Sequence, residues 1–476
     1  MTSALHITID RSAKVSLAEQ IRNGILAAIR SGALAPGARL PSWITLATQL
    51  GVARGTVKSA YERLTDEQVV ESSRSGGTKV ALRPTGAGRS ATAIEADTSS
   101  PRFEHLRIGP AIFQMGIPAS NGFPVSLLAR LRAQAARDEV TAPAVYPDPR
   151  GELELRREIA AHVALARGLE CRPSQVFITA GFAGALGMTL NVLGVEGRQA
   201  WMENPGFFQS RRALELARLT PVPIPVDKDG IDVSRGIDNA PDAAVALVTP
   251  GQQAPLGATL SLERRLELIA WAARTGAWII EDDYLGELQL HRRAAPALAS
   301  LDRSGRVIHI GSFSKTISPA LRLGFVVAPI AMADRFDEAA LCLGSAPGPA
   351  VQQAIAQFMR EGHYMRHLRR SKRIYSTRSD ALGAALERKG YRVHIGGLAA
   401  VVQLPDGVSD IEVARNALAQ GMAPSPLSTW FSPATHAEPG LLLGVATVDD
   451  SQIASACDRL HRLICMAARS PSEQAS

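Results

Sequence analysis

A lysine between hydroxyl-bearing residues is the feature of this sequence that points most directly to chemistry. The segment Ser312-Phe313-Ser314-Lys315 directly follows the apolar run VIHIG, which has the composition of a buried strand. A lysine that emerges from a strand end, flanked by hydroxyls, can form a Schiff base with pyridoxal phosphate. Because a single lysine is more often a solvated charge, this hypothesis depends on the residues that accompany it.

A second predicted strand ends in two adjacent carboxylates and a tyrosine. In the segment IIEDDYLGE, Asp282 and Asp283 precede Tyr284. One of the carboxylates can pair with the pyridinium nitrogen of the cofactor and keep it protonated, and the spacing leaves both open. Tyr284 can hydrogen-bond the ring hydroxyl. Arg322, seven residues after Lys315, can hold the phosphate with two parallel hydrogen bonds.

Two further segments can contact the rest of the cofactor. The turn Gly181-Phe182-Ala183 joins a predicted strand to a predicted helix, so its backbone N–H groups offer a site for an anion. Phe207, in the segment ENPGFF after another predicted strand, can cover a face of the ring. All of these residues lie at strand ends, where ligands bind in sheets of the α/β class.

Strands and helices alternate along this part of the chain. Helical patterns such as Ser261–Arg274 lie between apolar runs, which predicts a mostly parallel sheet with helices on both faces. From about Ala331 the pattern changes to long helices over Val351–Leu386. Short strands near Val393–Leu404 and Leu441–Thr447 then predict a smaller α+β part. The strand candidates of the large sheet are Gln175–Thr179, Gln199–Glu203, Ala244–Thr249, Ala277–Glu281, Arg306–Ile310 and Leu323–Ala328.

Residues 15–81 have the pattern of a small helical unit that ends in a hairpin. Val57, Tyr61 and Leu64 have the i, i+4, i+7 spacing of a buried helix face, and Gly51 marks the turn before this helix. The N-terminal part of such a helix enters the major groove in a helix-turn-helix protein. The residues that this spacing directs outward there are Arg54, Thr56 and Lys58.

Charge supports the same interpretation of the N-terminal unit. Residues 1–81 carry ten Lys and Arg against six Asp and Glu, whereas the rest of the chain is nearly neutral. A basic module on a nearly neutral body is typical of a protein that binds a polyanion. The predicted hairpin has Gly76-Gly77 at its tip and the cations Arg74 and Lys79 beside it. After it, residues 82–106 are rich in Ala, Thr, Ser, Gly and Pro, which predicts a flexible linker.

Length and composition exclude several other classes of protein. The chain has 476 residues, enough for about three structural units, with 46% apolar and 20% charged residues. No apolar run approaches the roughly 18 residues of a membrane span, and the N-terminus lacks the apolar stretch of a signal peptide. The four cysteines are scattered without metal-ligand spacing. We therefore expect no metal site, no membrane partner and a cytoplasmic location.

Residues 15–81 resemble the GntR-type winged helix-turn-helix. The matching motifs are Pro36-Gly37, Arg39-Leu40-Pro41-Ser42, Leu50-Gly51-Val52, Arg54, Thr56-Val57 and the Gly-Gly-Thr of the wing. The resemblance implies a double-stranded DNA operator as a partner. Ile44, after an unusual Trp43, stands where the family often has an arginine that helps to hold DNA. The expected DNA-binding residues are Arg39, Ser42, Arg54, Gly55, Thr56, Lys58, Arg74 and Gly76. Of these, Arg54 can bind guanine bidentately, whereas the other cations are expected to meet phosphates.

From about residue 107 to 470 the chain resembles the fold-type I pyridoxal-phosphate aminotransferases. With the N-terminal unit, the whole chain is similar to the MocR-type regulators of the GntR family. The matching motifs are YPDPRGELELRREIA, VFITAGFAGAL, WMENPGF, TPGQQAPLG, AWIIEDDY and GSFSKTISPALRLGFVVAP. The resemblance implies that Lys315 carries pyridoxal 5'-phosphate, that Asp282 rather than Asp283 is the pyridine partner, and that Tyr284 meets the ring hydroxyl. The other residues that it places at the cofactor are Ser312, Ser314, Arg322, Gly181, Phe182, Ala183, Phe207 and Tyr146.

The expected architecture is therefore a multi-domain α/β protein. A winged helix-turn-helix at 1–81 precedes the linker at 82–106 and an aminotransferase-like domain at 107–470. This domain divides near residue 330 into a large part and a smaller α+β part.

The chain also departs from these families. Phe182 and Ala183 replace two polar amides, Phe207 replaces a tyrosine, and Gly251-Gln252-Gln253 stands where Ser-His-Gln is common. Leu441–Val445 contains no arginine, although aminotransferases usually place one there for the substrate carboxylate. Without this anchor an amino acid is poorly oriented, so a full transamination cycle is less expected than ligand sensing.

Three functional hypotheses remain. The favoured one is a transcription regulator that senses pyridoxal phosphate, an amine or an amino acid, and binds DNA as a homodimer that we expect to be domain-swapped. The second is an aminotransferase with an accessory DNA-binding domain. The third is a regulator that has lost the cofactor.

Overall fold

The computed structural model of this chain describes residues 7–13, 15–67, 69–73, 77–81, 110–290, 294–344, 346–432 and 437–469. It divides into two compact units, Met1–Arg107 and Ile108–Ser476. The linker expected at 82–106 lies outside the described residues. Each unit is described by itself below.

The N-terminal unit consists of three helices followed by a hairpin. Helices α1 and α2 begin at serines whose hydroxyls accept a backbone N–H, Ser16 from Glu19 at 3.3 Å and Ser42 from Thr45 at 3.1 Å. Helix α2 ends at Gly51, whose φ of 63° is the left-handed conformation that glycine adopts at little cost. The elements are α1 (Leu17–Arg30), α2 (Trp43–Leu50), α3 (Arg54–Asp66), β1 (Val70–Ser73) and β2 (Gly77–Val80).

An apolar core holds these helices against the hairpin. Ile21, Ile25 and Leu46 are fully buried, as are Val57 and Leu64. The antiparallel strands β1 and β2 pair Val70 with Val80, and a bridge between Arg39 and Lys79 adds a third short segment to this sheet. The expected winged helix-turn-helix is thus confirmed as a fold.

The larger unit contains one eight-stranded sheet and one four-stranded sheet within its described residues. Its helices are α4 (Val125–Thr141), α5 (Leu153–Arg167), α6 (Gly181–Leu193), α7 (Phe208–Leu216), α8 (Val233–Asn239), α9 (Leu262–Thr275), α10 (Leu298–Leu301), α11 (Ala333–Leu343), α12 (Pro349–Arg360), α13 (His363–Glu387), α14 (Asp410–Leu418) and α15 (Ile453–Arg469). Its strands are β3 (Val176–Thr179), β4 (Gln199–Asn204), β5 (Thr220–Asp227), β6 (Gly230–Ile231), β7 (Val245–Val248), β8 (Trp278–Asp283), β9 (Val307–Ser312), β10 (Gly324–Val327), β11 (Val393–Gly396), β12 (Ala399–Gln403), β13 (Ser425–Pro426) and β14 (Gly440–Gly444).

The large sheet has the strand order β3-β10-β9-β8-β7-β4-β5-β6. Strands β9, β8, β7, β4 and β5 are parallel neighbours, and β10 runs antiparallel to both β9 and β3. The register between β8 and β9 pairs Asp282 with Ile310 and Asp283 with Gly311. The carboxyl ends of these two strands therefore lie side by side, as the expected mostly parallel sheet requires.

Strand β5 was not among the sequence candidates. It contains Pro221, Pro223 and Pro225, and a proline cannot donate a hydrogen bond to a neighbouring strand. The structure accommodates them because β5 lies near the edge of the sheet. It pairs with β4 along its length but with β6 only at Val226 and Asp227.

Apolar layers cover both faces of the large sheet. On one face Trp201 and Trp271 stack at 3.9 Å between ring centroids, and Ile279 belongs to the same cluster. On the other face Ile280 packs with Phe177 and Phe336. Neighbouring residues of β8 thus face opposite layers, and this alternation continues to the carboxyl end of the strand.

The four-stranded sheet has the order β11-β12-β14-β13 and is antiparallel throughout. Helices α13, α14 and α15 pack with its strands around a shared apolar core. This part of the larger unit is the smaller α+β part that the sequence predicted. No helix of the described residues is long and apolar enough to cross a membrane.

Gly311 on β9 offers a test of this packing beside the Lys315 segment. A Cβ at this position would lie 2.1 Å from Cζ of Phe325, so an alanine must displace a buried ring. We expect Gly311→Ala to lower the free energy of unfolding by about 1–3 kcal/mol in a urea titration. Gly187→Ala is the matched control, because its Cβ meets nothing within 4 Å inside α6, and it should gain about 0.5–1 kcal/mol. Equal effects of the two substitutions would contradict this account.

Candidate functional site

Lys315 follows the end of β9 and points its amine at a backbone carbonyl. Its Nζ donates a hydrogen bond to the oxygen of Gly116 at 2.9 Å. Burial lowers the pKa of Lys315, although the nearby carboxyl of Asp282 acts in the opposite direction. A lowered pKa increases the fraction of neutral amine, and the neutral amine is the form that attacks a carbonyl carbon.

Gly116 is a contact that sequence reasoning missed. It has a φ of 78°, and a Cβ there would lie 2.7 Å from Nζ of Lys315. A side chain at this position would therefore collide with the lysine. The two residues are 199 positions apart in the chain, and nothing in the segment QMGIPAS marks the glycine as a partner.

The two adjacent carboxylates have different surroundings. Asp283 accepts two hydrogen bonds from Arg167, at 2.7 Å from Nε and 3.1 Å from Nη2. Asp282 accepts no hydrogen bond from any described residue. Burial raises the pKa of Asp282 well above its usual range, and the nearby carboxyls of Asp283 and Glu203 raise it further. Asp282 is thus the carboxylate that still needs a partner.

The carboxyl of Glu281, which precedes Asp282 on β8, has hydrogen-bond partners within the protein. It accepts hydrogen bonds from Nδ1 of His309 at 3.0 Å and from the backbone N–H groups of Leu298 and Ala299. Burial alone would raise the pKa of Glu281, but the positive charge of His309 and these bonds hold it at about 2. Of the three consecutive acidic residues, Glu281 and Asp283 therefore already have partners within the protein.

Tyr284 and Glu203 complete the electrostatic surroundings of Asp282. Burial raises the pKa of Tyr284, and the nearby acidic groups Asp282 and Glu203 add to the effect, so the phenol stays a neutral donor. Burial also raises the pKa of Glu203 to about 7. Its carboxyl accepts bonds from the backbone and the hydroxyl of Thr249 at 3.0 and 2.5 Å.

The predicted phosphate residues surround the start of α6. Gly181 has a φ of 73°, and the first turn of this helix receives no side-chain cap. Arg322 donates from Nη2 to the oxygen of Ala180 at 3.2 Å. Ser312 and Ser314 bond each other through their hydroxyls at 3.1 Å. Uncapped N–H groups beside a guanidinium and hydroxyls form a site for an anion.

Phe182 and Ala183, beside Gly181, supply backbone rather than polar side chains. Phe182 is half-buried against the apolar cluster of Ile280, and Ala183 is exposed. Phe207 is the N-cap residue just before helix α7 and is half-buried, with its ring 5.8 Å from the ring of Trp430. Sequence reasoning did not find Trp430, which lies more than 200 residues further along the chain.

Tyr146 is not brought to the other predicted cofactor residues. Its side chain is fully exposed, at 101% of its reference area, and the apolar Val140 and Val145 beside it are also exposed. Strand β14 carries three fully buried leucines, Leu441–Leu443, in the stretch where aminotransferases usually place an arginine for the substrate carboxylate.

The predicted DNA-binding residues occupy the surface of the N-terminal unit. Arg54 and Gly55 are exposed in the first turn of α3, and Thr56 beside them is half-buried. Lys58 is exposed and lies 3.6 Å from the carboxylate of Glu62. Arg39 is exposed, and its guanidinium lies beside the wing at Gly77. The hydroxyl of Ser42 caps the start of α2. Arg74 and Gly76 lie outside the described residues.

Comparison with known proteins agrees with both halves of this description. Residues 17–80 match the family of bacterial regulatory proteins of the gntR type, and residues 119–460 match the class I and II aminotransferases. The chain is 34% identical to the "probable rhizopine catabolism regulatory protein MocR" of Rhizobium meliloti, over 93% of this chain and 92% of the relative. It is 31% identical to the pyridoxine biosynthesis transcriptional regulator PdxR of Corynebacterium glutamicum, over 95% and 97%.

A solved structure shows the same fold for the larger unit. The α-aminoadipate aminotransferase LysN of Thermus thermophilus, complexed with N-(5'-phosphopyridoxyl)-L-leucine, is 27% identical and superposes with a TM-score of 0.69. The match covers 78% of this chain and 96% of that one. The fold and the matches define the class of protein, a gntR-type DNA-binding domain followed by a class I and II aminotransferase domain. Within this class, the chain belongs to the MocR-type regulators of the GntR family.

The family implies pyridoxal 5'-phosphate as the cofactor, and the residues present fit it. A buried carboxyl that accepts no hydrogen bond from the described residues suits the protonated ring nitrogen, a lysine of lowered pKa suits the aldehyde, and the uncapped helix start suits the phosphate. The third hypothesis, loss of the cofactor, rested on the changes at Phe182 and Ala183. Those changes leave the backbone N–H groups of this turn in place.

The different surroundings of Asp282 and Asp283 predict opposite effects of the same substitution. The folded pKa of Asp282 lies above its unfolded value, so its ionisation opposes folding as the pH rises. Asp282→Asn should therefore raise the free energy of unfolding of the cofactor-free protein at pH 7, and the gain should be smaller at pH 5. Asp283→Asn leaves Arg167 buried and unpaired and should cost about 3–5 kcal/mol. Urea titrations at pH 5 and 7 measure both, and equal losses would contradict the assignment.

Proposed function

We propose that this protein is a transcription regulator whose aminotransferase domain senses pyridoxal phosphate, alone or with an amine or amino acid. The observation that carries the proposal is the combination, in one chain, of a gntR-type DNA-binding unit with an aminotransferase unit in which Lys315 follows β9, the parallel neighbour of the strand that carries Asp282. The names of the relatives MocR and PdxR, both regulators, support it.

Each part of the cofactor has a matching group in the site. Lys315 would bond the aldehyde carbon, Asp282 would hold the proton of the ring nitrogen, and Tyr284 would donate to the ring hydroxyl. The ring would lie beside Phe207. The phosphate would be held by Ser312, Ser314, Arg322 and the backbone of Gly181, Phe182 and Ala183. When bound, the cofactor supplies an electrophilic carbon to which an amine can add.

Sensing is favoured over turnover by the surroundings of this site. The buried leucines of β14 offer no bidentate partner for a substrate carboxylate, so an amino acid bound there lacks the orientation that fast transamination needs. An effector changes operator binding only through a difference in its affinity for two arrangements of the protein. A protein that holds its ligand without consuming it can maintain that difference.

We infer a homodimer from the exposed segment around Tyr146. Val140, Val145 and Tyr146 are 84%, 79% and 101% exposed, and side chains of this kind are usually covered. A second copy of the chain would cover them. Tyr146 of one copy would then lie toward the cofactor site of the other copy. Two copies present two DNA-binding units, which suits two operator half-sites an integral number of helical turns apart.

Substitution of Lys315 tests the function directly. We expect the wild-type protein to gain a visible absorption band when it is mixed with pyridoxal phosphate. Its operator affinity should change by about fivefold or more, the lower end of common coupling energies. Lys315→Ala should abolish both effects. Lys389→Ala is the control, because this lysine pairs with Asp458 on the surface.

Two results would overturn this proposal. A wild-type protein that stays colourless with the cofactor does not sense it through Lys315. Rapid conversion of the bound cofactor to pyridoxamine phosphate by many amino acids, with operator affinity unchanged, would instead favour an aminotransferase with an accessory DNA-binding domain. The intact set of Lys315, Asp282 and Tyr284 is the feature that would permit such turnover.

The N-terminal turns of α2 and α3 predict distinct effects on DNA binding. Arg54→Ala should weaken operator binding by about 1–3 kcal/mol and relax specificity at one base pair. Ile44, which is 43% exposed near the start of α2, can be replaced by arginine to add a phosphate contact. Ile44→Arg should tighten binding and steepen the plot of log affinity against log salt by about 0.9.

The control for these two variants is Arg63→Ala. Arg63 lies in the last turn of α3 and pairs with Glu19 at 2.9 Å, so its loss should change neither specificity nor salt dependence. Fluorescence anisotropy with operator and scrambled duplexes at several salt concentrations measures all three variants. If Arg54→Ala and Arg63→Ala behaved alike, this assignment of α3 would be wrong.

A further inference from the structure

Helix α13 carries a row of buried polar side chains that the proposed function does not use. Tyr364, His367, Ser371 and Tyr375 recur at helical spacing and are 3%, 6%, 7% and 2% exposed. These four residues form the polar face of α13. Burial of polar groups is costly unless they are hydrogen-bonded, so their partners show what this face holds.

Tyr364 bonds the residue that follows the cofactor lysine. Its hydroxyl lies 2.8 Å from Oε2 of Glu287 and 3.2 Å from Oγ1 of Thr316. A phenol has a single proton, and the carboxylate is the stronger acceptor. Tyr364 therefore donates to Glu287, and its oxygen also lies within hydrogen-bond distance of the hydroxyl of Thr316, which in turn contacts the carbonyl oxygen of Phe313 at 3.4 Å.

A buried ion pair anchors this hydroxyl. Nε2 of His162, on helix α5, bonds the other oxygen of Glu287. Burial alone would raise the pKa of Glu287, but His162 and the bond from Tyr364 keep it below its usual range. Glu287 in turn raises the pKa of His162 against the effect of burial. Tyr364 is thus tied to a fixed negative charge on one side and to Thr316 on the other.

His367, one turn along α13, holds the backbone of the same residue. Its Nε2 lies 2.6 Å from the carbonyl oxygen of Thr316. Burial lowers the pKa of His367, so the ring is neutral. Because a carbonyl only accepts, the proton of the neutral ring is on Nε2. Both the side chain and the main chain of Thr316 are therefore bonded to α13.

Tyr375, the last residue of the polar face, hydrogen-bonds the chain segment that contains Gly116. Its hydroxyl accepts the backbone N–H of Ala119 at 2.9 Å. Ala119 lies three residues after Gly116, whose carbonyl accepts from Lys315. The same helix therefore holds both chain segments that contact or carry the lysine.

Beyond the polar face, α13 reaches the four-stranded sheet. Arg378 is 1% exposed and donates to the carbonyl of Ala446 at 2.8 Å and to the carboxylates of Asp449 and Asp450. These acceptors follow strand β14 in the chain. Helix α13 thus bonds the Lys315 segment at one end and the chain that leaves β14 at the other.

We propose that Tyr364 and His367 are positioning residues for Lys315, and that α13 couples the cofactor site to the four-stranded sheet. This inference rests on the proposed function. A small cavity, lined in part by Ser312, Thr316 and Tyr364, lies beside the segment, so protein atoms do not fill all of the space around these bonds. The bonds therefore order the segment before the cofactor binds, and a shift of the small sheet displaces the amine through α13.

The test compares two tyrosines whose hydroxyls bond in different places, Tyr364 beside the Lys315 segment and Tyr391 in the smaller part. Tyr364→Phe keeps the ring and removes the bonds to Glu287 and Thr316. Tyr391→Phe removes one bond of 2.8 Å, to His461, in the smaller part. We expect Tyr364→Phe to raise the dissociation constant of pyridoxal phosphate on the order of tenfold, and Tyr391→Phe to leave it within twofold. Absorbance titration of the full-length protein measures both.

Two further measurements separate positioning from simple loss of stability. In the cofactor-free protein, hydrogen–deuterium exchange of the segment 313–318 should accelerate in Tyr364→Phe and not in Tyr391→Phe. Should Tyr364→Phe fail to fold, His367→Gln and His367→Leu replace it. The amide of glutamine can still donate to Thr316, so it should retain most of the cofactor affinity that leucine loses.

The outcomes also distinguish this inference from the function on which it rests. Equal cofactor affinity and equal exchange in Tyr364→Phe and Tyr391→Phe would overturn the positioning role and leave the regulator proposal intact. A wild-type protein without cofactor affinity would overturn both. Operator affinity measured without cofactor should be the same in all of these folded variants, because none of them changes the DNA-binding unit.

Discussion

A buried carboxyl that accepts no hydrogen bond from the described residues, that of Asp282, sets the electrostatic requirements of the larger unit. Its neighbours on both sides are neutralised by the protein, Glu281 through His309 and Asp283 through Arg167. Ionisation of Asp282 in such surroundings opposes folding, and the raised pKa of this carboxyl reflects that cost. The protein therefore retains a local instability that a protonated ring nitrogen would remove. Under the proposed function, cofactor binding would stabilise the protein through this side chain.

The α/β scaffold explains how this charge meets the lysine. Strands β8 and β9 are parallel neighbours, so their carboxyl ends place Asp282 beside the segment that carries Lys315. Alternation along β8 turns neighbouring side chains to opposite faces, which separates Asp282 from the Arg167 pair behind the sheet. On the predicted phosphate side, the start of α6 offers backbone N–H groups, which do not depend on the side chains of Phe182 and Ala183.

The two units of the chain have separate cores and separate chemistry. The N-terminal unit matches the gntR family of bacterial regulatory proteins and is built on a small helical core. In the larger unit, residues from distant parts of the sequence hold the chain around Lys315. The polar face of α13 bonds both segments at this lysine and continues to the chain after β14. A ligand that favours one position of the small sheet would thus change the lysine segment without touching it.

The sequence by itself determined the strand-end positions of Lys315, Asp282 and Gly181, because strand periodicity and glycine turns are local signals. It also identified both families. Only the tertiary structure distinguished Asp282 from Asp283 by contact, since the deciding partner, Arg167, lies 116 residues away. The same holds for Gly116 and for Tyr364, which meet the lysine segment from distant parts of the chain. Strand β5 was missed because its prolines contradict local strand propensity and are tolerated only near a sheet edge. Pairings between residues far apart leave no local pattern, so only the folded chain reveals them.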